Sequence, residues 1–505
     1  MRKILLIILL ITSLFALSCK NNSSSSIGRI GEIVVNPYGV TPLSAVYTTE
    51  TVNALPITVT VKGLYGEPDI IHTYPSGYGM EFEIHGMFPE SDNVIEINDG
   101  GRIITKNVSV GSLSYNGINI QKKYDVAINN LPEEKYKNNP ELYFFLNPME
   151  EFDIGISRNG YTRYLKTGYS GSKFYIENKR IVLFPNYSAK NSDLLGNVLV
   201  QYPSVSHHDA IKINSNYIYL SYSTMGWEDR LIEINRVGTK LRDLSFGKLI
   251  QNSLDFKTYP GDESIFKKIV FGEEVNNIYK DNNGNERWVD WFHVNSLVYD
   301  SSEDILYVSS RKRAVLAIDY SEWKLIWWMA DNSLKLKIDV TLTASDGLPY
   351  DYHFKDLKSL EAYRVKGAGI YDGPKNQHAL FLLANGNLGM FDNQGDEDSN
   401  PNGSRYVEYK ITGTHGNYTA IKVYEYKDSS FYSRTMSDVD FTGENYQNIL
   451  LCYANLGIIL EVGKNSKKEL FKLDLPFDVY RGDKMPLYYD EGRVYSEDCN
   501  LKNPN

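Results

Sequence analysis

His293-Val-Asn-Ser-Leu-Val-Tyr-Asp300, then Ile305-Leu-Tyr-Val308, then Val315-Leu-Ala-Ile318 are short apolar runs parted by polar residues, and their reading decides the fold. Runs of this length, rich in β-branched and aromatic side chains, are strands rather than helices. The same type recurs at Tyr217-Ile-Tyr-Leu220, between Gly, Asn and Asp turns. No sustained amphipathic helical stretch interrupts the series, which argues against an α/β enzyme. Units of this kind open on histidine at His208-Asp-Ala-Ile, His293-Val-Asn-Ser-Leu and His378-Ala-Leu-Phe, at intervals of 85 residues. That interval is about twice the ~40–45 residues of a propeller blade, so a radial array of four-stranded blades is expected over residues 141–495.

The residues upstream read differently. Ile57-Thr-Val-Thr-Val-Lys62 and Val94-Ile-Glu-Ile-Asn98 alternate apolar and polar side chains, with turns at Pro75-Ser76-Gly77 and Asp99-Gly100-Gly101. Alternation over about a hundred residues predicts a β-sandwich across 30–130, joined to the rest through Leu131-Pro132 and Asn139-Pro140. The fold expected is therefore all-β. The 39 tyrosines, 20 phenylalanines and 6 tryptophans agree with it, since aromatics favour strands.

The first residues address a compartment. Arg2 and Lys3 precede an apolar run from Ile4 to Leu17, too short for a stable membrane span and suited to a signal peptide over 1–18. Ala16-Leu17-Ser18-Cys19 resembles the lipobox of bacterial lipoproteins, in which the cysteine is acylated, and residues 19–29 read as the lipidated Cys19 and a flexible tether. A cell-envelope location facing the periplasm, with the membrane reached through the lipid anchor, follows from that likeness. Net charge is −10 without a long basic tract, so nucleic acid is not an expected partner. Cys452 lies in an apolar run, where a buried thiol is expected; its pairing with Cys499 stays open.

Asp290-Trp-Phe-His-Val-Asn-Ser296 with the later Ser309-Ser-Arg311 resembles the bacterial arylsulfotransferases, which use phenolic sulfate esters as donors. Asn36-Pro-Tyr-Gly-Val-Thr-Pro-Leu-Ser-Ala45 is similar to the opening of that family's small β-domain, and Gly86-Met-Phe-Pro-Glu90 to its Gly-Leu-Tyr-Pro segment. Gln377-His-Ala-Leu, Asn385-Gly-Asn387 and Phe391-Asp-Asn393 resemble the stretch around its sulfated histidine. Ser404-Arg405 and Tyr432-Ser433 through Ser437-Asp438 continue the likeness, which covers nearly all of the chain after the leader. It implies a β-sandwich followed by a six-bladed propeller, and ping-pong sulfuryl transfer from a phenolic sulfate donor to a phenol acceptor without phosphoadenosine phosphosulfate. His378 would be the nucleophile, His208, His293 and Arg311 would line the sulfate pocket, and Asn295 would orient the sulfate. Acid–base work falls to His293 or equally to His208; the neighbouring His207 is expected at the surface or between blades. Family members are commonly dimers, which leaves a homodimer open. The disulfide that some members carry before the sulfated histidine has no counterpart, since residues 360–377 contain no Cys.

The residue types suit that chemistry. Sulfuryl transfer shifts negative charge among oxygens, so positioned cationic donors matter most. Arginine offers a fixed fork that cannot lose its charge, and imidazole can serve as nucleophile, donor or acid. No cofactor is implied. A three-histidine metal site is disfavoured by the arginine and the spacing, and Asp392 to Asp398 reads as a solvated acidic turn rather than a calcium loop. Gly168-Tyr-Ser-Gly-Ser-Lys173 is too short for a phosphate-binding loop and precedes no helix. The competing reading is a non-catalytic, lipid-anchored propeller that binds anionic or aromatic ligands.

Overall fold

The computed structural model describes residues 30–132, 139–186, 190–222, 228–246, 249, 279–280, 286–287, 292–311, 314–332, 339–343, 349–353, 361–395, 398–491 and 500–502. Cys19 and Cys499 lie outside the described residues. No helix among the described residues is long and apolar enough to cross a membrane.

The alternating stretches near the N-terminus form two antiparallel sheets. One is ordered Ile33–Val35, Ser44–Thr48, Glu81–His85; the other Ile70–Tyr74, Ile57–Val61, Ser91–Asp99, Arg102–Val110. Val59 pairs with Ile97 and Val61 with Ile95, so the odd-numbered apolar residues share one face and are buried there. They pack on Tyr47, Phe82 and Ile84 of the first sheet. Val126–Asn129, expected in this domain, instead pairs with Glu469–Asp474 at the edge of a distant sheet. Its short, half-exposed pattern carries no burial signal of its own, so contiguity misplaced it.

Six further sheets of four or five strands are described between Val126 and Pro486. Their innermost strands are Gly171–Glu177, Ser206–Ile213, Val294–Asp300, His378–Leu382, Asp438–Thr442 and Arg481–Pro486, and neighbours in that series touch. Arg481–Pro486 then pairs antiparallel with Glu141–Asn147 and closes the ring, giving a propeller-like array. Apolar clusters fill the wedges between adjacent sheets: Ile211, Leu220, Val294 and Leu306 in one, Val298, Val315, Leu380 and Met390 in the next. The N-terminal domain shares a core with the first sheets. Arg163 donates through Nε to the Gly86 carbonyl (2.8 Å) and lies 3.9 Å over the Phe88 ring, with Glu67 3.5 Å from its Nη1.

The 85-residue interval does not hold two blades. The strands that His208, His293 and His378 open belong to consecutive sheets, 206–245, 294–329 and 378–427. Each interval is one sheet plus an insertion, and insertions of similar length made the spacing look like a multiple. Asp392 is not in a solvated turn either. It is fully buried and takes two hydrogen bonds from Arg405, at 3.0 and 2.9 Å, while Glu425 accepts a third at 2.7 Å. Cys452 is a buried free thiol, as its apolar run suggests.

Adjacent inner strands are joined by side chains as well as by packing. Asp209 accepts from the Leu297 backbone N–H (2.8 Å), and Ser296 Oγ accepts from the Leu380 N–H (3.1 Å). Asp209 also lies 3.0 Å from Lys173 Nζ and 3.4 Å from Arg481 Nη1, both buried. Removing one partner from a buried ion cluster leaves charge uncompensated. Asp209→Ala is therefore expected to destabilise the fold by about 3–5 kcal/mol, read as a lowered midpoint in urea unfolding; an unchanged midpoint would show that Asp209 does not tie the sheets together.

Candidate active site

His208 and His378 lie among the first residues of inner strands and His293 immediately before one, and at each place the ladder slips. The register shifts between Ser206 and Ala210, between Val294 and Ser296, and between His378 and Phe381. Such bulges re-aim side chains out of the regular alternation. At His208 and His293 the backbone is left-handed, with φ of 57° and 53°. For a non-glycine residue this costs on the order of 1–3 kcal/mol each, a price met by the sheets around them.

The bulges bring the two rings together. Nε2 of His208 is 3.1 Å from Nε2 of His293. Glu228 stands between them: its Oε2 is 2.9 Å from His208 Nε2 and 3.1 Å from His293 Nδ1. The other nitrogen of His208, Nδ1, meets the Tyr480 hydroxyl at 2.6 Å, and the Tyr480 ring stacks on the imidazole. Arg311 follows the hairpin partner of the His293 strand, and its backbone N–H donates to the His293 carbonyl at 2.8 Å. His207 is not at the surface. It is fully buried behind His208, with Nε2 3.0 Å from the Ser221 carbonyl and Nδ1 4.0 Å from Glu228, and burial above all drives its pKa down to about 3. The bulge explains this, because it breaks the alternation that would have turned His207 outward.

His378 is held by one edge of its ring. Nδ1 faces Asn393 Oδ1 at 2.8 Å and the Asn376 carbonyl at 3.0 Å. The Asn393 amide donates through Nδ2 to the carbonyls of Ser433 (2.7 Å) and Met436 (3.2 Å), which fixes its oxygen toward His378. Both neighbours of Nδ1 accept, so Nδ1 carries the hydrogen and Nε2 bears the lone pair. Burial, first, and the positive charges of Arg311, His208 and His293 push the His378 pKa well below its ordinary value; the Asn393 bond opposes them. His378 is thus a neutral imidazole near neutral pH, and Arg311, His208 and His293 are near enough for their charge to act on it. Asn295 is fully buried, and its Nδ2 donates to the Gln377 carbonyl at 2.7 Å, immediately before His378.

Among the described residues, His207, His208 and Glu228 are grouped closely enough to hold a metal ion, their donor atoms within 4.8 Å of one another. Glu228, Tyr480 and Asn393 were not singled out by sequence reasoning. Asn393 stood within a quoted stretch; the other two carried no signal.

The residues from 129 to 481 match the family model described as arylsulfotransferase (ASST), and residues 32–108 match the arylsulfotransferase Ig-like domain. The chain belongs to the arylsulfotransferase family. Arylsulfate sulfotransferase AssT of Escherichia coli is 27% identical to it over 193 residues, which are 36% of this chain and 31% of that protein. AssT of Lelliottia amnigena is 27% identical over 192 residues, with the same shares. The matched stretch therefore spans about a third of the length of these curated relatives. Among solved structures, the β-propeller domain of Myceliophteria thermophila Cps50 (Swd1) is similar with a TM-score of 0.36 and 11% identity, covering 70% of this chain and 91% of that chain.

The depressed pKa of His378 has a sign that can be measured. Unfolding frees this imidazole to bind a proton below its ordinary pKa of 6.5, whereas the folded site resists protonation. The unfolded state then gains protons as pH falls, so His378 lowers stability on the acid side. His378→Asn is expected to flatten the decline by up to about 1.4 kcal/mol per pH unit below 6.5, measured by urea unfolding between pH 7 and pH 5. Identical pH slopes for the two proteins would mean that the histidine is not held neutral.

Proposed function

We propose that this chain transfers a sulfuryl group from a phenolic sulfate ester to a phenol by a ping-pong route through sulfated His378, without phosphoadenosine phosphosulfate. The observation that carries the reading is the His378 ring: Nδ1–H is tied to two fixed acceptors, Nε2 bears the lone pair, and Arg311, His208 and His293 are near enough to act on it electrostatically. In the first half-reaction the Nε2 lone pair attacks sulfur, the S–O bond to the aryl group breaks, and the phenolate departs with a proton from a nearby acid. In the second, an acceptor phenol gives up its proton, its oxygen attacks the same sulfur, and the S–N bond breaks to restore Nε2.

Arg311, His208 and His293 supply positive donors to the sulfuryl oxygens, where charge is redistributed in the transition state. His293 or His208 exchanges the proton with the phenols. Asn295 acts at one remove, by holding the Gln377 carbonyl and so the start of the His378 strand. The lipobox-like leader supports a lipid anchor on Cys19 and a place in the envelope facing the periplasm.

Donor alone should release a burst of phenol equal to the enzyme present, followed by slow hydrolysis, and peptide mapping at mildly alkaline pH should find one added sulfuryl group on the His378 peptide. His378→Asn should give neither. A full burst from His378→Asn would point to direct transfer between bound phenols, and no turnover by either protein would favour a ligand-binding role. For the anchor, the mass of the purified N-terminus should correspond to an acylated Cys19; an unmodified N-terminus beyond that residue would refute it.

A further inference from the structure

Two adjacent histidines and a carboxylate converge beside the pocket in a way that sulfuryl transfer does not use. The donor atoms of His207, His208 and Glu228 all lie within 4.8 Å of one another. Glu228 Oε2 is 2.9 Å from His208 Nε2 and 4.0 Å from His207 Nδ1. This is not the set that the strand-opening histidines suggested: it takes only one of them and adds an anionic ligand.

His207 gives the group its direction. A carbonyl only accepts, so Nε2 of His207 bears the hydrogen that it donates to the Ser221 carbonyl at 3.0 Å, and the lone pair stands on Nδ1. That nitrogen is buried and has no hydrogen-bond partner among the described residues. Its neighbour at 4.0 Å is a carboxylate oxygen, another acceptor. A cation held between the two satisfies both, which accounts for a buried polar atom that the protein leaves unpaired.

The surroundings suit a metal as well. Ligating imidazoles commonly bind an oxygen through their other nitrogen. His207 has the Ser221 carbonyl, and His208 Nδ1 lies 2.6 Å from the Tyr480 hydroxyl. Two imidazoles and a carboxylate are a zinc ligand set with a fourth position open, whereas calcium and magnesium favour oxygen ligands. Tetrahedral zinc ligands stand about 3.4 Å apart. That spacing falls between the two distances at Glu228, so side-chain rotation closes the set. The Glu228 side chain is 13% exposed, which gives an ion a way in.

We propose that His207 Nδ1, His208 Nε2 and Glu228 Oε2 form a site for zinc or a similar divalent cation, and that the bound ion blocks sulfuryl transfer. The site stands on the cluster alone; the block rests on the sulfuryl-transfer reading. A metal on His208 Nε2 takes the lone pair of that nitrogen, which can then carry no hydrogen to a sulfuryl oxygen. It also lies against His293, whose Nε2 is 3.1 Å from the same atom.

Binding is measured first, on the full chain stripped with a chelator and titrated with zinc against a chromophoric competitor. His207→Gln keeps an N–H for the Ser221 carbonyl and has no nitrogen in the place of Nδ1. Its zinc affinity should fall about tenfold or more, whereas His415→Gln, a change at an exposed histidine, should bind as the wild type does. X-ray absorption of the zinc-loaded wild type should show at least two imidazole ligands, a measurement that stays decisive if His207→Gln does not fold. No zinc binding, equal affinities in wild type and folded His207→Gln, or a zinc shell without imidazole would overturn the site. The block is read from the phenol burst with donor alone, which zinc should abolish at concentrations that fill the site in the wild type. A full burst from zinc-loaded protein would overturn the block and keep the site. A metal-free wild type that binds zinc but gives no burst would discard the transfer reading, and the block with it.

Discussion

A ring of sheets has to be closed by the chain itself, and here one antiparallel pairing does it. Arg481–Pro486 lies against Glu141–Asn147, with Leu142 opposite Met485 and Phe145 opposite Gly482. Closure does more than seal the apolar wedges. Tyr480, just before the closing strand, reaches His208, and Arg481 reaches Asp209 and the Asn295 carbonyl. The site is thus assembled by the same contact that completes the fold, and the buried cations at its base depend on carboxylates from another sheet.

Strain and support are divided between two layers. The bulged first residues of the inner strands hold His208 and His293 in left-handed conformations that regular strands avoid. Immediately after them the strands become regular and apolar, with Ile211, Leu297 and Leu380 fully buried. Burial of a side chain of that size contributes roughly 1.5–3 kcal/mol, enough to offset the local cost. His378 departs from the pattern: its own backbone is ordinary, and the positive φ falls on Ala379. The Asn393 side-chain oxygen and the Asn376 backbone carbonyl together set its ring.

Much of the fold could be read from local pattern. Alternation at Ile57-Thr-Val-Thr-Val and the short runs at Ile305 and Val315 specify strands because period and turn chemistry are local properties. What failed was counting, since the histidine spacing mixes strand residues with insertions whose length has no fixed relation to the sheets. His208, His293 and His378 stood out by their repeated place before strand-like runs, Arg311 and the roles of all four came from the family likeness, and the fold brings them into one electrostatic neighbourhood. Tyr480 lies 272 residues from His208, so only closure reveals the pair. Glu228 stands before a strand with no pattern to mark it. His207 shows the limit of alternation: of the two places expected for it, at the surface or between blades, its full burial excludes the surface.

The side-chain ties between inner strands, Asp209 to Leu297 and Ser296 to Leu380, have a consequence for how such a chain can change. They fix neighbouring sheets to each other at their inner ends, next to the reacting groups. Connections between the outer edge of one sheet and the inner strand of the next can then lengthen without moving the histidines, because position at the centre is set across the gap and not along the chain. Loop closure entropy grows only slowly with length, so such growth is thermodynamically mild. The periphery is free to diversify in what it recognises while the centre keeps one geometry.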